Sequence, residues 1–210
     1  MHGIVHQRLK EYVRSGADGD AWETVLDRTD VEPTLYLAVN YYPDAEFEAL
    51  FETLVELTGH ERATLERDFG RFLAPTLRST FRGHVPDDPT FRGVLCDLES
   101  VTQSFADQEP NPPGITGERV DGPESNGPGA DDSVVDESGA DDPETDDSVA
   151  TDPGTDVITV TYESDRGYCA MARGLLEGLA ETFDVEVSVA ETACERAGAD
   201  CCAFRVVISE

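Results

Sequence analysis

Three side chains near the C-terminal end of the chain are spaced for carboxylate binding. Tyr162, Ser164 and Arg166 alternate, so on an extended strand they share one face. Two hydroxyl donors beside a guanidinium fork suit acid groups, which an arginine engages through two parallel hydrogen bonds. The other reading is an exposed strand face with an incidental arginine. The histidines are His2, His6, His60 and His84, and none follows residue 84. No Ser/His/Asp order, phosphate-cradling glycine loop or His-Glu-x-x-His helix is present. General base chemistry would therefore rest on carboxylates that read as solvated surface, and the expectation is a protein that is not an enzyme.

The elements that must position these residues follow from hydrophobic periodicity. Residues 1–105 read as helices. Ile4, Val5, Leu9, Tyr12 and Val13 recur at helical spacing, and Asp20 is placed to cap a second helix carrying Trp22, Val25 and Leu26. Asp44 opens a third, with Phe47, Leu50, Phe51, Leu54 and Val55 as its apolar stripe and Gly59 as its stop. A fourth holds Leu65, Phe69, Phe72 and Leu73, and Pro75 is expected to break or kink it. A fifth runs from about Thr90 to Phe105, with Phe91, Val94, Leu95, Leu98 and Val101 facing inward. Val157–Tyr162 reads as a strand, residues 167–183 as a helix, and Val185, Val187, Val189 and Phe204, Val206, Ile208 as two further strands. The fold class expected is α+β: an N-terminal helical subdomain packed on a C-terminal helix plus antiparallel sheet.

Composition bounds the partners. The 210 residues carry 45 acidic and 15 basic side chains, a net charge of −30, and Lys10 is the one lysine. Such a surface repels phosphate backbones, which argues against nucleic acid as a direct partner. Self-repulsion on this scale is tolerable where salt screens it, with a Debye length of about 3 Å at 1 M. The composition therefore reads as halophilic, with a plain acidic mesophile as the other possibility. No run of apolar residues is long enough to span a membrane, and residues 1–8 lack a signal pattern. The five cysteines, an odd count concentrated toward the C-terminus, point to a reducing, cytoplasmic setting. Between 121 and 156 there are thirteen acids and no lysine, arginine or aromatic residue. Gly-Ala-Asp-Asp repeats at 129–132 and 139–142, and the tract is expected to be disordered.

Several stretches together resemble the haem-nitric oxide/oxygen-binding (H-NOX, or HNOB) family, in a form like that of halophilic archaea. They are Met1-His2-Gly3-Ile4-Val5; Trp22-Glu23-Thr24-Val25-Leu26; Tyr42-Pro43-Asp44; Thr58-Gly59-His60 through Phe69-Gly70-Arg71-Phe72; Tyr162-x-Ser164-x-Arg166; Gly174–Gly178; and Cys194-x7-Cys202. The resemblance implies one domain over 1–210. Its helical part is 1–105 and its α+β part 112–120 plus 157–210. Pro112-Pro113 resembles the proline pair before the family's first strand, here Ile115–Val120. The tract 121–156 then stands in a hairpin turn, where loop-closure entropy grows slowly with length.

The resemblance also implies a haem site. Tyr162, Ser164 and Arg166 would clamp the propionates, and Val5, Pro113 and Leu175 would line the pocket. The family's proximal histidine falls in Leu98-Glu99-Ser100-Val101-Thr102, so its position is Thr102, a poor iron ligand beside neutral imidazole. His84 reads as a solvent-facing loop residue, His2 and His6 as core, surface or wrong-side ligands, and Cys96 as a buried small hydrophobe. Some family members hold zinc with three cysteines and a histidine. Cys169, Cys194 and Cys202 match the cysteines, and the histidine position is Glu191; either Glu191 or Cys201 could complete a tetrahedron. Reduced inert thiols and a thiol redox switch are the other readings. The expected function is a haem-binding-like sensor of NO or O2 that signals through a separate kinase, cyclase or transducer. The alternative is a haem-free module on the same fold that binds a small apolar ligand or a protein.

Overall fold

The computed structural model describes residues 1–16, 20–32, 35–80, 82–84, 89–106, 112–120 and 156–209, the side chains of His84 and of 104–106 excepted. The acidic tract from 121 to 155, and with it the expectation of disorder, lies outside the described residues, as does the orientation of His84.

The helical stripes fold as their periodicity directs. Helices α1 (Gly3–Gly16), α2 (Ala21–Asp27), α3 (Asp44–Thr58) and α4 (Arg62–Thr80) bury Leu9, Trp22, Val25, Phe47, Leu50, Phe51, Phe69 and Leu73 in one core. Gly59 ends α3 in the left-handed region, φ 66°, with its N–H on the Val55 carbonyl. Asp20 stands at the start of α2 but makes no side-chain cap bond. Pro75 does not interrupt α4, which runs through it to Thr80. The carbonyl that Pro75 leaves without an intrahelical N–H, that of Arg71, faces Gly178, where there is no Cβ to press on it. The expected fifth helix is two: α5 (Phe91–Cys96) and α6 (Leu98–Ala106), parted at Asp97. That break turns Cys96 outward, so it is exposed rather than buried.

Strands β1 (Gly114–Arg119), β2 (Asp156–Glu163), β3 (Glu186–Ala193) and β4 (Cys202–Ser209) form one antiparallel sheet in the order β1-β2-β4-β3. Ile115 pairs with Tyr162 and Arg119 with Ile158, so 120–155 connects two hairpin partners. Ile158, Val160 and Tyr162 on β2 and Cys202, Phe204, Val206 and Ile208 on β4 alternate into a second core. Helix α7 (Cys169–Thr182) covers that core, α5 packs on β1 and β2, and α6 packs on β1.

The two halves meet along α4 and α7, the most extensive contact between elements of the chain. Glycine permits it. A Cβ on Gly174 would lie 1.9 Å from the Arg67 carbonyl oxygen, and one on Gly70 would lie 2.2 Å from that of Met171. The flanks are pinned by Arg67, whose Nε and Nη2 lie 2.7 and 2.6 Å from the Glu177 carboxylate, and by the Arg71–Glu181 pair. Inside the helical core, His6 is fully buried. It is stacked on Tyr36 at 4.4 Å and edge-on to Phe47, and no hydrogen bond of good geometry reaches either ring nitrogen among the described residues. Burial lowers its pKa to about 4, and the nearby His2 backbone offsets this in part.

Two outcomes follow from this packing. Gly174→Ala should lower stability by about 1–3 kcal/mol or more, read as a fall in denaturation midpoint. Gly16→Ala, where a Cβ meets nothing within 4 Å, should be close to neutral; equal effects at the two sites would contradict the close approach. The second outcome concerns pH. The unfolded His6 imidazole binds its proton below about 6.5 and the folded one only below about 4. Stability therefore falls as pH drops through that window, by about 3 kcal/mol in total. Denaturant midpoints from pH 7 to pH 4 should show a steeper loss in the wild type than in His6→Leu.

Candidate ligand cavity and thiol cluster

A cavity of about 820 Å³ lies between α4, α7, α6 and the sheet, within the size range of cofactor sites. Its wall is mainly apolar, with Leu73, Leu98, Val101, Ile115 and Leu176 among the lining residues. Val5 from α1, Pro113 before β1, Leu175 from α7 and Thr102 from α6 are all in it, as are Tyr162 and Arg166. Ser164 is not among the lining residues.

The polar end is built differently from an alternating strand face. β2 stops at Glu163, and residues 164–167 form a turn. The Gly167 N–H bonds the Ser164 carbonyl at 3.1 Å, with Gly167 at φ 64°, a conformation that favours glycine. Ser164 Oγ accepts from the Arg166 backbone N–H at 3.3 Å, so the serine shapes the turn that presents the guanidinium. Arg166 is only 10% exposed, and its Nε donates to Asp44 Oδ2 at 2.7 Å. Asp44 also pairs with the Met1 ammonium. Burial alone would raise the Asp44 pKa, but the two cations outweigh it and hold the carboxyl below its usual range. Tyr162 is buried, which pushes its pKa up to about 12, so it stands as a neutral phenol donor. Tyr168, also in the wall, donates to Glu48 Oε2 at 2.7 Å, and burial and that carboxylate raise its pKa.

On the α6 wall, the Thr102 hydroxyl lies 3.0 Å from both the Leu98 and Glu99 carbonyl oxygens, so its proton is spent on its own helix. His2 lines the cavity from the other side. Its Nδ1 accepts from the Ile4 N–H at 3.3 Å, and its ring sits edge-on to Tyr41 at 5.0 Å. His6 is not a lining residue. His60 is exposed.

The second site adjoins the first. Cys169, Glu191, Cys194 and Cys202 bring one ligand atom each to within 4.8 Å of one another, an arrangement able to hold a metal ion. Cys169 begins α7, Cys202 begins β4, Glu191 is on β3, and Cys194 precedes the 3-10 turn Glu195–Ala197. Cys169 and Cys194 are 3.6 Å apart at sulfur, and Cys202 Sγ accepts from the Glu195 N–H at 3.4 Å. Cys201 is outside the group: it directly precedes Cys202, and neighbouring residues on extended backbone point to opposite sides. Burial raises the pKa of the Cys169 and Cys202 thiols, which is the environment of packed rather than reactive sulfur. Cys202 and Tyr162 are directly opposed across β4 and β2.

Two supports of this region were not identified from sequence. One is Asp44 as the partner of Arg166, across 122 residues of chain; the Tyr42-Pro43-Asp44 landmark marks the position without naming its partner. The other is Glu66, fully buried, whose Oε1 takes Arg62 Nε at 2.8 Å and Arg196 Nη2 at 2.9 Å. Arg196 belongs to the turn after Cys194, so this carboxylate ties the thiol cluster to α4. Desolvating it costs several kcal/mol, which the two guanidinium groups on Oε1 offset in part, since the buried Oε2 has no hydrogen-bond partner among the described residues.

The profile of the V-4-R domain matches residues 157–208, the part that contains β2, α7, β3 and β4. Among solved structures, an H-NOX protein from S. oneidensis in the Fe(II)NO ligation state is 20% identical over 100% of this chain and 100% of that chain, with a TM-score of 0.77. A mutant of T. tengcongensis H-NOX is 20% identical over 100% of this chain and 98% of that chain, with a TM-score of 0.72. At this identity the likeness establishes the fold. A search of curated proteins finds no match. The haem-NO-binding profile, however, matches residues 2–124, more than half of the chain, from α1 through β1. The chain therefore belongs to the haem-NO-binding family.

Proposed function

We propose that the chain is a sensory module whose signal is occupancy of the cavity by a tetrapyrrole-sized ligand, relayed to a separate signalling protein. Haem-NO-binding domains are gas sensors and not enzymes, and haem is the group the family implies. The observation that carries the reading is the join of an apolar slot of about 820 Å³ to a buried guanidinium and phenol at one end. Arg166, with Tyr162 beside it, would receive the ligand's carboxylates; Ser164 and Asp44 hold the arginine in place. Val5, Leu175 and Pro113 would contact the flat apolar body. These residues fit the edges of a haem but not its iron, because Thr102 stands where the family has its proximal histidine. When bound, haem would supply a diatomic-gas site, and that gas-sensing form of the reading needs an iron ligand from elsewhere. The haem-free form, a small apolar ligand in the same slot, is favoured by the engagement of Thr102 with its own helix.

Relay would use the α4–α7 seam, since ligand in the cavity touches both helices and each belongs to a different half. No helix of the described residues is long and apolar enough to cross a membrane. We further assign zinc to the Cys169, Glu191, Cys194 and Cys202 cluster, with a carboxylate oxygen in place of imidazole as fourth ligand. Its role there is structural, since it would clip α7, β3 and β4 together.

Two measurements test these assignments. Hemin titrated into the protein in molar salt should give a saturable Soret band at one equivalent. Arg166→Gln, checked for fold by circular dichroism, should weaken binding about 10- to 100-fold, as expected for loss of a charge-assisted pair. No Soret change on titration would defeat the tetrapyrrole reading of the cavity and leave only the haem-free form. For the cluster, elemental analysis should find about one zinc per chain that Cys169→Ser loses; a metal-free wild type that takes up no added zinc would refute it.

A further inference from the structure

The described cavity wall contains several groups whose types could bind iron, and each is either engaged elsewhere or a poor iron ligand in its present form. The α6 wall offers the neutral alcohol of Thr102, already donating to its helix. The α1 wall offers His2. A ligating imidazole presents a bare nitrogen to the metal while its other ring nitrogen donates to a carbonyl or carboxylate. His2 is set the opposite way: Nδ1 faces the Ile4 N–H, a donor, which places the ring proton on Nε2. Tyr162 and Tyr168 are buried phenols, and Tyr168 donates a hydrogen bond to Glu48. Iron would need the phenolate. Met1 and Met171 contribute thioethers, weak acceptors that serve haem iron beside an imidazole. His6, one turn along α1 from His2, is enclosed by Tyr36, Tyr42 and Phe47 and is not among the lining residues.

What the described wall does provide is shape and, at one end, Arg166 and Tyr162 to receive acid groups. We infer that the cavity recognises its ligand through a flat apolar body and acid groups and not through iron, so that its ligand class is planar tetrapyrrole-like dicarboxylic acids whether or not they carry a metal. This rests on the reading of the cavity given under Proposed function and narrows it: haem becomes one acceptable guest among several. A pocket that holds haem by an imidazole gains affinity from the iron bond, whereas this one gains none.

The test is a comparison of two probes on the full-length protein in molar salt: hemin and metal-free protoporphyrin IX. Each is titrated by quenching of the buried Trp22 and then run in competition. The expected result is dissociation constants within about tenfold of each other, which is within about 1.4 kcal/mol. Both probes should be weakened to a similar degree by Arg166→Gln. The bound hemin should show no electron-paramagnetic or resonance Raman signature of a protein nitrogen or sulfur on iron, and His2→Ala and His84→Ala should leave its spectrum unchanged. Hemin binding more than tenfold tighter than protoporphyrin, or a hemin spectrum altered by either histidine substitution, would overturn the inference while leaving the cavity reading intact. Failure of both probes to bind would remove the cavity reading itself, and the inference with it.

Discussion

The contact on which the rest of the molecule depends is the backbone-to-backbone seam of α4 and α7. Gly70, Gly174 and Gly178 remove the side chains that would hold these helices apart, and the carbonyls of Arg67, Arg71 and Met171 occupy the space. Because α4 belongs to the helical core, and α7 gives Met171 to that core and Leu176 and Ala180 to the sheet core, the seam joins the two hydrophobic clusters. It also sets the width of the cavity, since Leu73 and Ala74 on one helix and Leu175 and Leu176 on the other form adjacent parts of its wall. Past Pro75, the continued helix adds Leu77 and Arg78 to the same wall.

Electrostatics organise what the seam leaves open. In a chain of net charge −30, a buried cation has no shortage of carboxylates, and the structure distributes them specifically. Arg166 is held by Asp44, Arg62 by Glu48, Glu52 and Glu66, and Arg196 by Glu66. The exposed pairs contribute little each. The partly buried ones fix orientation: one presents the arginine at the cavity end, and another anchors the turn beside Cys194. Arginine suits both tasks because its planar fork keeps its geometry when partly desolvated.

Much of this was legible in the residues and some was not, for physical reasons. Periodicity reports which face of an element is buried, so β2, β4 and α7 could be read from alternation and spacing, while the hairpin position of β1 followed from the resemblance to the family. That resemblance also brought Val5, Thr102, Pro113 and Leu175 to attention beside the alternating Tyr162 and Arg166, and the structure places all six in one wall. Periodicity does not report where an element stops. Extending the β2 alternation by three residues put Ser164 on a strand face, whereas it stabilises the following turn. Treating 90–105 as one helix buried Cys96, which the break at Asp97 exposes. Pro75 looked disruptive because its neighbour Gly178, which relieves the crowded carbonyl, is distant in sequence. Partners such as Asp44 for Arg166 and Glu66 for Arg196 lie more than a hundred residues away, and no local pattern encodes them.

The opposition of Tyr162 and Cys202 across two strands has a thermodynamic corollary. One residue ends at the cavity and the other at the thiol cluster, and they share a rung of the same ladder. Free energy exchanged between occupants of neighbouring sites is reciprocal. If an ion drawing in the sulfurs stiffens that rung, a guest at the phenol gains affinity, and the guest in turn holds the ion by the same factor. The two pockets then titrate as a single coupled receptor, and the apparent strength of either depends on how far the other is filled.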